Sequence, residues 1–168
     1  MAQSNNININ AQNGKGEPKY PFFVQYQSYI ENHGCSNQSA QENSRKYLID
    51  NKSKKEIVKY KIDGGLLTDQ DALKCDYGFY TEDDFIYFVE LKGSDYSHAI
   101  DQIINTIRLL IEKPNIKVSK INARIVVSKL PSPELRSSNE KKLKRILDSY
   151  GKDENNLKKQ TRQLTDVL

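Results

Sequence analysis

Between Cys75 and Gly93 the chain reads CDYGFYTEDDFIYFVELKG, two runs dense in aromatic and β-branched residues, Tyr77 to Tyr80 and Phe85 to Leu91, parted by Thr81-Glu82-Asp83-Asp84. Such side chains suit a pleated, half-buried surface, and an acidic turn between two such runs predicts a β-hairpin. With the turn centred on Asp83, Tyr80 faces Ile86 and the constant sum of an antiparallel register brings Asp76 opposite or nearly opposite Glu90. Side chains alternate along a strand, so Lys92 shares the face of Glu90 while Leu91 points the other way.

Tyr77, Phe79, Tyr87, Val89 and Leu91 make one face of this hairpin apolar, and Ile86 and Phe88 do the same for the other, so both strands read as central and buried. Two facing carboxylates repel there unless a cation or a shared proton compensates them. A hard divalent cation held by Asp76 and Glu90, with Lys92 beside it to orient water or a phosphate oxygen, is the economical arrangement. A structural acid pair without metal is the alternative.

Asp76 on one strand followed by Glu90-Leu91-Lys92 on the next resembles the PD-(D/E)XK nuclease superfamily, with Cys75 where that family usually has Pro. The resemblance implies an α/β fold with a central mixed β-sheet flanked by helices and an αβββαβ restriction endonuclease-like core. It implies hydrolysis of DNA phosphodiesters leaving a 5′-phosphate, with Mg²⁺ or Mn²⁺ bound by Asp76, Glu90 and the main-chain carbonyl of Leu91, and Lys92 positioning the attacking hydroxide. In that family the helix before the first strand often supplies another acid, here Glu42, and the helix after the motif a Gln near the metal, here Gln102.

The rest of the chain follows the same order of elements. Residues 1–19, rich in Asn and Gln and without apolar periodicity, read as a disordered leader. Residues 20–168 read as a single domain, long enough for a core without staples. Tyr20 to Asn32, with Pro21 at the first turn, reads as a short helix ended by His33-Gly34, and Ser36 to Asn51 as a second helix carrying Ala40, Ser44, Tyr47 and Leu48 on one face. Val58, Tyr60 and Ile62 alternate with Lys59 and Lys61, the pattern of a strand with one wet face.

After the hairpin, Ser94 or Asp95 caps a helix whose apolar stripe runs from Ala99 to Ile111 and which ends by Pro114. Ile121 to Leu130 reads as a buried strand and Ser137 to Tyr150 as a basic helix, while Leu157 to Leu168 fits a short helix or an edge strand.

Charge is divided along the chain: residues 63–95 hold nine acids against two lysines, and residues 113–168 fourteen basic residues against six acids. An acidic metal-binding centre and a basic half lying on phosphates would account for this, as would solvated helix faces. Lys59, Lys61, Lys141, Lys144 and Arg145 are the candidate nucleic-acid contacts. Cys35 and Cys75 lack C-x-x-C spacing and a histidine array, which argues against zinc and disulfides and fits a cytoplasmic setting. No apolar run approaches a membrane span.

The partners expected are DNA, with a second copy or a protein of a defence or DNA-processing complex. Two rival readings stand beside the nuclease: a catalytically inactive nuclease-fold binding or regulatory subunit, and a dimeric junction resolvase. Specificity, DNA against RNA, endo- against exonuclease action and oligomeric state are not readable.

Overall fold

The computed structural model describes residues 20–132 and 138–168, so the leader expected at 1–19 and the Ser137 start of the basic helix lie outside the described residues. Helix α1 (Pro21–Tyr26), one 3₁₀ turn and strand β1 (Ile30–Gly34) open the fold. Strands β2 (Gln38–Glu42), β3 (Arg45–Asp50), β4 (Ile57–Lys61), β5 (Tyr77–Thr81) and β6 (Phe85–Leu91) follow. Helix α2 (Tyr96–Ile107), extended by a π turn to Glu112, leads to β7 (Lys120–Val127), α3 (Ser138–Ser149), β8 (Leu157–Thr161) and β9 (Gln163–Val167).

A six-stranded mixed sheet of order β1-β4-β5-β6-β7-β8 forms the centre, with β6, β7 and β8 mutually parallel and the other neighbours antiparallel. Helices pack on one face, where Phe22, Ile100, Ile103, Leu143 and Leu147 meet Val58, Tyr80, Phe88 and Ile125. On the other face lies a second sheet, β2-β3-β9, whose Ala40, Tyr47, Ile49 and Leu164 meet Phe79, Tyr87, Val89 and Val126. The protein is therefore α/β with a mixed sheet, but only one of its faces is covered by helices.

The hairpin register is as expected, with Tyr80 facing Ile86 and Tyr77 facing Val89. Asp84 closes the turn at φ 63°, accepting from the Tyr80 hydroxyl at 2.5 Å and from the Ser119 amide and hydroxyl, both at 2.7 Å. Those bonds satisfy polar groups at the turn and join it to the start of β7. Asp95 caps α2 by accepting from the His98 amide at 2.9 Å.

Ser36 to Asn51 is not a helix. It is the β2–β3 hairpin, with Glu42 facing Arg45 across the two-residue turn Asn43-Ser44, and Asn43 at φ 50°. Asn tolerates this left-handed conformation, as tight hairpin turns require. Gln38, Ala40, Tyr47 and Ile49 are buried in alternation, a period of two that a turn in mid-segment disguises as a helical stripe. Similarly, Ile30 to Gly34 belongs to a strand rather than to the end of the first helix.

The basic helix and the strand after α2 are present, though β7 stops at Val127 rather than Leu130. The segment left open at the C-terminus forms two strands, β8 at the edge of the central sheet and β9 parallel to β3. Among the described residues no helix is long and apolar enough to cross a membrane.

Candidate active site

Asp76 immediately precedes β5, and since Tyr77 faces Val89 the same register sets Asp76 against Glu90. The Leu91 amide donates to Asp76 Oδ2 at 2.7 Å, fastening the first carboxylate to the strand that bears the second. Glu90 is only 2 % exposed, and its Oε2 has no hydrogen-bond partner among the described residues. Burial, followed by the negative charge of Asp76, pushes the Glu90 carboxyl up to about 9, and Lys92 pulls it the other way. Burial likewise raises Asp76 to about 6, against the Leu91 amide, which holds it down.

Lys92 is half-buried and close enough for its charge to favour the ionised form of both acids. It makes no ion pair within 4 Å among the described residues. The pair is thus short of positive charge, and its donors are hard oxygens.

Those properties fit a divalent cation. Among the described residues, however, no three His, Cys, Asp or Glu side chains are gathered closely enough to hold one as they stand. The Leu91 carbonyl accepts from Arg45 Nε at 3.2 Å, leaving one of its two lone pairs for another partner.

Glu42 reaches this region from the end of β2 rather than from a helix. With Lys61, Asp63, Asp76 and Tyr77 it lines a cavity of about 200 Å³ at the mouth of the site, and its charge helps raise both Asp76 and Glu90.

Gln102 is not among the residues lining that cavity. Its amide nitrogen donates to the Lys74 carbonyl at 2.9 Å, and Thr106, one turn along α2, accepts from the Cys75 amide at 2.9 Å. The two side chains fasten the peptide leading into Asp76 onto α2, leaving Gln102 Oε1 buried without a donor.

The expected nucleic-acid contacts separate into two places. Lys61 is exposed beside the carboxylates, and Lys59 pairs with Glu31 at 2.9 Å while lying 4.8 Å above the Tyr77 ring. Lys141, Lys144 and Arg145 instead line a separate cavity of about 460 Å³ between α3 and β8. Lys144 is committed there to Asp148, to the Asp153 carbonyl and to Asn156.

Arg45, Asp63 and Thr106 escaped the sequence reading. Arg45 was readable only as the partner of Glu42 across an Asn-Ser turn, and Thr106 as the residue four positions beyond Gln102 on one helix face. Comparison of the chain with protein-family models, curated proteins and solved structures found no match.

Proposed function

We propose that the protein is a metal-dependent deoxyribonuclease that hydrolyses DNA phosphodiesters at Asp76, Glu90 and Lys92. The observation that carries this reading is the pair of facing carboxylates, one of them with a buried oxygen that has no partner among the described residues, next to a lysine that no acid among them pairs with. The sequence β4, β5, β6, α2, β7 adds support, because these strands lie side by side in chain order as an αβββαβ core requires, with α1 as its first helix. It departs from that core in β1 and the β2–β3 hairpin, both set between α1 and β4.

In this reading Asp76, Glu90 and the Leu91 carbonyl would hold Mg²⁺ or Mn²⁺, with Glu42 as a further acid at the mouth. A bound ion supplies a lowered pKa for water and charge for the scissile phosphate. Lys92 orients the attacking water and offsets charge on the pentacoordinate phosphorus. Gln102 and Thr106 hold Asp76 in place through the Lys74-Cys75 backbone.

The test is cleavage of plasmid, linear, single-stranded and branched DNA and of RNA in Mg²⁺ or Mn²⁺. Activity in the wild type, lost in both Asp76→Ala and Lys92→Ala, is expected; turnover that survives both substitutions would refute the assignment.

The near-complete enclosure of Glu90 favours a second reading, a catalytically inactive nuclease-fold subunit of a DNA-processing or defence complex. Salt-sensitive DNA binding without turnover would select it.

A further inference from the structure

A polyanion approaching Glu42, Asp63 and Asp76 at the mouth of the site meets three acids, so a nuclease site of this composition needs cations around it to hold the substrate. Three chain turns meet beside it. The β2–β3 turn brings Arg45, whose Nε donates to the Leu91 carbonyl and whose Nη1 donates to Ser128 Oγ, both at 3.2 Å. The exit of β7 is fastened to the segment after β6 by the Ser128 amide, which donates to the Gly93 carbonyl at 2.7 Å. The β8–β9 turn closes the group, with the Arg162 amide donating to the Val127 carbonyl at 3.2 Å and the Lys46 amide to the Arg162 carbonyl at 2.8 Å.

These bonds set Arg45, Lys129 and Arg162 at one corner, on the backbone that flanks Lys92. Lys129 and Arg162 are exposed and Arg45 half-exposed. None of the three has an acidic partner within 4 Å among the described residues, whereas Lys55, Lys59, Lys120, Lys144 and Lys159 are each paired. The Arg45 guanidinium spends one donor on Leu91 and one on Ser128, and Nη2 has no protein partner among the described residues. A planar fork with free N–H groups beside a hydrolytic centre suits a phosphate.

We propose that this corner, Arg45, Lys129 and Arg162, is the surface that grips the phosphodiester backbone next to the scissile phosphate. The assignment rests on the nuclease reading and deepens it. It places the gripping cations on the turns at the carboxylate end of the sheet, and it leaves helix α3 outside the binding track.

Fluorescence anisotropy of labelled duplex DNA, single-stranded DNA and duplex RNA in Ca²⁺ tests this, comparing the wild type with Lys129→Glu/Arg162→Glu and with Lys141→Glu/Arg145→Glu. All four positions are exposed, and the neutral pair Lys129→Gln/Arg162→Gln covers a failure of the charge reversal to fold. The corner reversal is expected to weaken binding about tenfold or more and to flatten the dependence of log affinity on log salt by about 2, the share of two phosphate contacts. The α3 reversal is expected to leave affinity within about twofold. The proposal is overturned if the corner variants bind like the wild type, if the α3 variant takes the loss instead, or if the wild type binds none of the three probes. Plasmid cleavage by the same wild-type sample decides separately whether the nuclease reading survives.

Discussion

Replacing Glu90 by Gln should make the folded protein more stable at neutral pH, by an amount that grows with pH. The carboxyl ordinarily titrates at 4.5 and stands at about 9 in the fold, chiefly because it is buried. Below pH 4.5 folded and unfolded chains both carry the proton, and the ionisation of Glu90 has no effect on stability. Above that pH the unfolded chain ionises while the folded one keeps its proton, so stability falls by about 1.4 kcal/mol per pH unit until the folded group titrates in turn. Between about pH 5.5 and 7.5 the loss from Glu90 is on the order of 3 kcal/mol.

Glutamine keeps the shape and does not titrate, so the gap between variant and wild type should widen by that amount over the interval. Urea unfolding of both proteins in EDTA at the two pH values measures it. Adding Mg²⁺ or Mn²⁺ at the higher pH should then stabilise the wild type and not the variant, because a cation replaces the proton on the carboxylate pair. A gap that stays constant between the two pH values would refute the argument from burial. A metal response of equal size in both proteins would refute the role of Glu90 as a ligand.

Arg124→Met should cost about 3 kcal/mol or more at neutral pH, because it leaves Asp166 buried with only Lys158 and Tyr47 for partners. Burial raises the Asp166 carboxyl, but Arg124 and its neighbours outweigh this and hold it below the ordinary range, so the stability it contributes is lost as pH falls. The deficit in urea unfolding should therefore narrow in acid, and one that widens there would contradict this account. Thr106→Val should cost about 1–3 kcal/mol in the same assay by leaving the Cys75 amide without its acceptor. In the proposed nuclease its kcat should fall with Asp76 displaced, and an unchanged kcat would remove Thr106 and Gln102 from the positioning of the site.

What could be read without coordinates was whatever local pattern and register decide. The alternation through Phe85 to Leu91 and the acidic turn were enough to set Tyr80 against Ile86, and with that to bring Asp76 and Glu90 together. The apolar stripe of α2 was readable for the same reason. Glu42 was named with the wrong element around it: Ala40, Tyr47 and Leu48 fall at helical spacing only because a two-residue turn interrupts a strand pattern. The pairing of β3 with β9 joins segments more than a hundred residues apart, and no local signal specifies it. Arg45 reaches Leu91 because β3 packs on the central sheet, a long-range contact that no local signal specifies either.

That late pairing orders the assembly of the site in time. The Asp76–Glu90 hairpin is local and can close as soon as its own residues leave the ribosome, since short-range contacts form first. The β2–β3 hairpin lacks its second flank until Gln163–Val167 has been made, and Lys46 has no Arg162 carbonyl to bond before then. A nascent chain can therefore pair the carboxylates well before the cationic corner is assembled, although Arg45 itself is made first.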